Sequence, residues 1–304
     1  MAEPELVFRP NVQHDDQIIL KPRHQFAARD GLHRVAGAKV AGEHALNLGR
    51  VALADCRERP QEADDFGLAS EGLEHKRRFG RRFEEGPMTS SADMRTANRQ
   101  AHWQSIYRAK TEREVSWFQD DPQPSLTLIE KAGSPSSAVI DIGGGASRLA
   151  GALLSRGFLD VTVLDLSPAA LEAAKARIGA GADRIRWIAA DVTAWEPSRA
   201  YDIWHDRAAF HFMVAEADRS AYLSRLARAL KPGGYAIIAT FAPDGPEKCS
   251  GLPVRRYDAE ALAETLGPGF RLISTRRLEH LTPWGAPQSF QFSVFRHLSA
   301  TLAP

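Results

Sequence analysis

The sequence predicts an α/β fold: a doubly wound, mostly parallel seven-stranded sheet with an antiparallel C-terminal edge hairpin. Three observations carry this. From Ala101 onward, short apolar runs of strand length alternate with amphipathic stretches of helix length, a pattern that implies a parallel sheet covered on both faces. The first of these runs ends in a glycine cluster, VIDIGGGAS, over residues 139–147. The last two runs, RLISTRRLEH and SFQFSVFRH, have no helix between them, so they pair as a hairpin and one of them runs antiparallel at the edge.

The elements follow in order. AHWQSIYRAK and PSLTLIEKAG read as two helices ahead of the sheet, and SSAVIDIGGG as a short buried strand running into glycines. SRLAGALLSRG is an amphipathic helix with a glycine stop. VTVLDLS is the second strand. The helix after it, PAALEAAKARIG, has Pro168 in its first turn, where a missing N–H costs nothing, and Ser167 as its cap. RIRWIAADV is the third strand and YDIWHD the fourth. DRSAYLSRLARALKPGG is a helix closed by Pro-Gly-Gly, YAIIATF the fifth strand, and RYDAEALAETLG the last helix before the hairpin. Right-handed crossovers turn these repeats into a doubly wound sheet.

A length of 304 residues allows one large domain, or a domain with an appendage. An apolar content of 43% and a charged content of 25% are ordinary for a soluble protein with a sizeable core. The net charge of +1 gives no overall electrostatic case for nucleic acid or a membrane surface. No apolar run approaches the roughly 18 residues that span a bilayer. Two cysteines, Cys56 and Cys249, cannot build a disulfide framework, so a reducing, cytoplasmic compartment is expected. The N-terminus lacks a basic-then-apolar signal pattern, and no Cys/His cluster has zinc spacing, so no metal is implied.

Residues 1–87 read differently. All six Trp and all five Tyr lie after Met88, whereas the first 87 residues hold 11 Arg against 3 Lys and five of the ten His. Their apolar residues show no sustained period. The basic run from Lys76 to Arg82 reads as a solvated segment rather than a nucleic-acid signal. We read 1–87 as an irregular or disordered extension, or as leader sequence brought in by a mis-assigned start, since Met88 opens directly into a helix. Residues 88–304 are then the domain.

In doubly wound sheets, ligands bind beyond the carboxyl ends of the strands, where strand order reverses. Gly143 and Gly145 let the backbone turn tightly there and approach a ligand closely. Asp165, with Leu166 after it, closes the second strand, where a carboxylate can accept from both ribose hydroxyls. Asp191 closes the third, where it can accept from an adenine amino group while the Val192 amide faces a ring nitrogen. Asp141, before the glycines, suits a cofactor with a cationic methionine amine, or anchors the turn through backbone amides. Any one of these acids could merely cap a turn, but three at the ends of successive strands point to a single ligand. A dinucleotide is the competing reading. Gly143 and Gly145 fill the first and third places of its fingerprint, but the sixth is Arg148, and Asp141 sits badly beside an anionic pyrophosphate.

On these motifs, Trp103 to about His297 resembles the class I, seven-stranded S-adenosylmethionine-dependent methyltransferases. VIDIGGGAS, VTVLDLS, IAADV and YDIWHDRAAFHF are similar to the family's first four motifs, and ALKPGGYAIIATF to its strand-five motif. The similarity spans about 195 of 304 residues. WQSIY, VSWF, Ser147 in GGGAS and the WHDRAAFHF run look most like bacterial methyltransferase-domain proteins, distantly similar to the citrate synthase and elongation-factor lysine methyltransferases. The resemblance implies a Rossmann-like methyltransferase fold, S-adenosyl-L-methionine as cofactor, and a small molecule or a protein lysine as acceptor. It places Asp141, Gly143, Gly145, Ser147, Asp165, Leu166, Asp191 and Val192 around the cofactor.

Residues beyond strand four face the transferred methyl in this fold, which nominates His205, Asp206 and His211 as catalytic. His205 could serve as a base near neutral pH, against a structural role bonded to backbone. Asp206 could bind the cofactor amine or a cationic acceptor, against a cap for AAFHF. Arg207 could meet an acid in the acceptor, against a plain ion pair. Tyr107 and Trp117 could fold over the cofactor and exclude water, whereas Trp103 reads as core. The loop from Asp244 to Pro253 should overhang the pocket, with Cys249 a buried, inert thiol. His280 and Gln288 could line the acceptor mouth. No Asn-Pro-Pro-Tyr follows strand four, which disfavours amino methylation of a base or of glutamine. Two other classes compete: a nicotinamide-dependent oxidoreductase, and a non-catalytic cofactor-binding protein.

Overall fold

The computed structural model describes residues 91–299. The expectations for residues 1–87, with Cys56 and the Lys76–Arg82 run, lie outside them. Two helices come first, α1 (Ser91–Ala109) and α2 (Ser125–Ala132). The alternating part follows as β1 (Ala138–Ile142), α3 (Leu149–Ser155), β2 (Asp160–Asp165), α4 (Pro168–Ile178), β3 (Ile185–Ala189), β4 (Tyr201–Arg207), α5 (Glu216–Ala229) and β5 (Leu230–Phe241). Two-residue strands β6 (Lys248–Cys249) and β7 (Leu252–Pro253) make a small hairpin the sequence reading did not anticipate. α6 (Ala259–Leu266), β8 (Phe270–Leu281) and β9 (Pro287–His297) complete the chain.

Seven strands form one sheet in the order β3-β2-β1-β4-β5-β9-β8. β1 to β5 pair in parallel, and strand order reverses between β1 and β4. The expected hairpin forms the edge, but the antiparallel strand lies inboard. β9 pairs antiparallel with both β5 and β8, so the outermost strand, β8, runs with the parallel set.

β1 is buried along its whole length, as a central strand covered on both faces must be. Period-two alternation divides its side chains. Ile140 and Ile142 join Trp204 and Ile238 against Tyr222, Leu226 and Leu262 of α5 and α6. Val139 joins Ile203 and Ile237 against Leu126, Ile129, Leu149 and Leu153 of α2 and α3. Ser167 caps α4 as expected, its hydroxyl accepting from the Ala170 amide at 3.2 Å, with Pro168 next to it. One boundary differs from expectation. α5 ends at Ala229, and the Pro-Gly-Gly read as its stop already belongs to β5. Gly234 is required there by close approach, since a Cβ would lie 2.9 Å from the carbonyl oxygens of Asp202 and Lys231. Among the described residues, no helix is long and apolar enough to cross a membrane.

Candidate cofactor and acceptor site

The glycine turn after β1 is pressed against its surroundings. Gly143 and Gly145 take φ of 65° and 42°, in the left-handed region that favours glycine. A Cβ on Gly143 would lie 2.8 Å from the Ala209 Cβ, and one on Gly145 would lie 2.9 Å from Asp165 Oδ2 and 3.0 Å from Tyr107 Oη. Beyond the turn opens a cleft of about 740 Å³ of empty space, part of it open to solvent. Gly143, Asp165, Leu166, Asp191 and Val192 line it. A second cleft of 620 Å³ takes in Asp141, Ser147 and His205, and shares Gly143, Tyr107, Trp117 and Arg207 with the first. The structure therefore gathers the residues nominated for the cofactor. Gly145 shapes the wall without lining either cleft, and Ser147 spends its hydroxyl locally, accepting from the Leu149 amide at 3.1 Å.

The three acids differ in their surroundings. Asp165 accepts from the Ser167 amide at 2.7 Å. Burial, helped by the Asp141 charge, pushes its carboxyl up to about 7. Asp191 is heavily bonded: one oxygen accepts from the Thr193 amide and hydroxyl, the other from Thr96 Oγ1 at 3.0 Å and from the Arg99 guanidinium. Burial would raise this carboxyl, but Arg99 and Thr193 outweigh it and hold it below its ordinary range. Arg99 also reaches Asp218 at 2.9 Å, so it staples α1 to the ends of β3 and α5. Arg99 was missed in the sequence, because nothing local marks a helix arginine whose partners lie 92 and 119 residues away.

Asp141 accepts from, or shares a proton with, His205: Oδ1 lies 2.7 Å from Nδ1, while His205 Nε2 meets Ser125 Oγ at 2.8 Å. Both ring nitrogens are thus occupied, and His205 is only 2% exposed. It borders the second cleft as a group that positions Asp141 and ties β4 to α2.

Two catalytic expectations are corrected. Asp206 does not reach the cleft. Alternation puts it on the face opposite His205, where Oδ1 accepts from the Ala209 and Phe210 amides and Oδ2 from the Tyr222 hydroxyl. His211 is fully buried between Phe212 and Phe241, lines neither cleft, and its imidazole nitrogens have no hydrogen-bond partner among the described residues. Burial and the Arg207 charge push its imidazole down to about 3, so it is neutral at physiological pH.

The pattern of the methyltransferase domain family matches residues 139–234, which span the glycine turn, all three acids and β4. The chain carries a class I S-adenosylmethionine-dependent methyltransferase domain. Trans-aconitate 2-methyltransferase of Methylobacterium radiotolerans is 36% identical over 131 residues, which cover 42% of this chain and 46% of that protein. EEF1A lysine methyltransferase 4 of Mus musculus is 29% identical over 184 residues, covering 56% of this chain and 71% of that one. The chain thus spans about half the length of the first of these relatives. A solved structure of 1,6-didemethyltoxoflavin-N1-methyltransferase from Burkholderia thailandensis shares the fold at 22% identity and a TM-score of 0.55, covering 71% of this chain and 93% of that one.

The methyltransferase domain roofs its first cleft with aromatics. Trp103 packs edge-on against Trp117 and Phe212, with ring centres 5.7 and 5.0 Å apart, and Tyr107 lies beside Trp117. Trp103, read from the sequence as core, in fact lines this cleft with Tyr107 and Trp117. The loop after β5 brings Cys249 to the same wall, where burial pushes the thiol up to about 11 and keeps it protonated and inert. His280 lines neither cleft. Its Nε2 donates to the Ser116 carbonyl at 2.7 Å and ties the β8–β9 hairpin to the segment before α2, with Gln288 opposite it. Arg148, the residue that broke the dinucleotide fingerprint, is held by Glu112 and Asp120.

Proposed function

We propose that this chain transfers a methyl group from S-adenosyl-L-methionine to a small-molecule acceptor. The carrying observation is the grouping of Asp141, Asp165 and Asp191 at the carboxyl ends of three adjacent strands, around a glycine turn that any side chain would obstruct. In this reading Asp165 holds the ribose hydroxyls, Leu166 and Val192 flank the adenine, and Asp141 faces the methionine amine. Asp191 acts chiefly through Arg99, fixing α1 over the cleft. When bound, the cofactor supplies a methyl group on a positively charged sulfur, open to in-line displacement by an acceptor lone pair. The aromatic roof excludes water and strengthens electrostatics beneath it. In-line displacement asks the protein chiefly to align the acceptor lone pair, and a base is needed only if the acceptor arrives protonated.

A cleft walled by Trp103, Tyr107 and Trp117 favours a small acceptor, in line with the likeness to trans-aconitate 2-methyltransferase. The likeness to EEF1A lysine methyltransferase 4 favours a protein lysine as the second reading. Incubation of the protein and methyl-labelled cofactor with a cell extract separates them. Label is expected in small molecules, label in protein bands would support lysine, and calorimetric binding of NAD in place of S-adenosylmethionine would overturn both.

We further propose that residues 88–304 suffice for this activity, in the cytoplasm and without nucleic acid or membrane. A chain beginning at Met88 is expected to bind S-adenosylmethionine as tightly as the full chain. Insolubility or lost binding would make residues 1–87 part of the domain.

A further inference from the structure

We propose that Arg207 anchors a carboxylate on the methyl acceptor, which makes the substrate an acid with a flat, apolar body; this rests on the methyltransferase reading of the clefts. Arg207 is the last residue of β4 and lines both clefts, at the point where they meet. Its Nη1 donates to the Trp117 carbonyl at 2.9 Å. Its Nε and Nη2 are buried and have no hydrogen-bond partner among the described residues. The plain ion pair weighed from the sequence is absent among them too, because Asp206 turns to Tyr222 and Asp141 is bonded to His205.

A guanidinium held in this way is costly unless something completes it. Its charge is taken out of water, and two of its donors stay unmade. Nε–H and Nη2–H are the adjacent pair of donors that a carboxylate accepts from in bidentate fashion. No carboxylate among the described residues is bonded to the guanidinium: Asp141 is near enough for its charge to favour the cation but is committed to His205. Cys249 is protonated, and on one side the guanidinium rests 5.1 Å from the centre of the Phe290 ring. The rest of that wall, Trp103, Trp117 and Phe212, accepts flat apolar surface. A carboxylate there would also offset the repulsion between Arg207 and a cationic sulfonium in the same cleft. The cofactor's own methionine carboxylate is the other source of the same chemistry, and the experiment separates the two.

Thermal unfolding of the full chain, saturated with S-adenosylhomocysteine, is measured with benzoate, phenylacetate and cinnamate, and with their three amides. At least one acid is expected to raise the Tm by several degrees while its amide does not. Arg207→Gln and Arg207→Lys are expected to abolish that rise, with S-adenosylhomocysteine affinity by calorimetry changed less than about threefold, since only the acceptor arm is lost. Equal shifts from acids and amides in the wild-type protein, or no shift from any, would overturn the proposal without reference to a variant. So would a shift that survives Arg207→Gln. A tenfold or greater loss of S-adenosylhomocysteine affinity in both variants would assign Arg207 to the cofactor's carboxylate and sink the acceptor assignment. Failure of the wild-type protein to bind S-adenosylhomocysteine would instead remove the methyltransferase reading beneath it.

Discussion

Asp206→Ala is expected to cost about 3 kcal/mol of folding stability, because it removes the acceptor from a closed, buried network. Asp206 takes three donors at once: the Ala209 and Phe210 amides at 2.9 and 3.1 Å, and the Tyr222 hydroxyl at 2.7 Å. Tyr222 in turn accepts from Trp204 Nε1 at 2.8 Å. Asp206, Trp204 and Tyr222 are each 0% exposed, so water cannot replace the lost acceptor without a rearrangement of the core. Each orphaned donor costs about 1–3 kcal/mol, and partial relaxation keeps the total near the bottom of the summed range. Asp206→Asn preserves the shape and one acceptor oxygen, so a loss of about 1 kcal/mol is expected. Urea unfolding measures both. A residue that faced an acceptor would behave oppositely, leaving the midpoint in place and lowering turnover. A shift below about 0.5 kcal/mol for the alanine variant would mean that the network does not hold the turn after β4.

The contrast between His205 and Asp206 shows how far the sequence could be read. YDIWHD announces a strand, and period two already puts consecutive residues on opposite faces, so both could not enter one pocket. What the string does not contain is which helix covers which face. Ser125, which fixes His205, is 80 residues away, and Tyr222, which fixes Asp206, lies in the following helix. The glycine turn and the strand-end acids were legible because close backbone approach and strand termini are local properties with a fixed spacing. The sheet itself was legible for the same reason, down to the Ser167 cap. The engagement of Asp191 by Arg99 was not legible, since α1 carries no pattern that aims one arginine at β3. The unpaired donors of Arg207 were equally hidden. They exist because Asp206 and Asp141 are both committed elsewhere, which only the packed structure decides.

Asp165→Ala is expected to weaken S-adenosylmethionine binding by tenfold to a hundredfold. Hydrogen bonds to a charged group are worth roughly 1.5–3 kcal/mol, and about 1.4 kcal/mol is a factor of ten. The effect carries a pH signature that a packing role would lack. Burial and the Asp141 charge raise this carboxyl to about 7 in the folded protein, against about 4 in an unfolded chain. The folded state therefore keeps a proton that the unfolded state has already lost. The group's contribution to stability is fully present below about pH 4, declines as pH rises toward 7, and is flat above that. Cofactor binding runs the other way. Two ribose hydroxyls donate to the acid, which favours its ionised form, so affinity should climb as pH rises to about 7 and then level off. One unit below that value only about a tenth of the sites are ionised, so wild-type affinity at pH 6 should be roughly tenfold weaker than at pH 8. The alanine variant should bind weakly and show little of that slope, and calorimetry at the two pH values reads both quantities. If the variant binds as tightly as wild type, the ribose lies elsewhere. If it binds weakly yet keeps the full slope, the titrating group is another member of the site, and Asp165 matters only for the shape of the turn that it shares with Gly145 and Ser167.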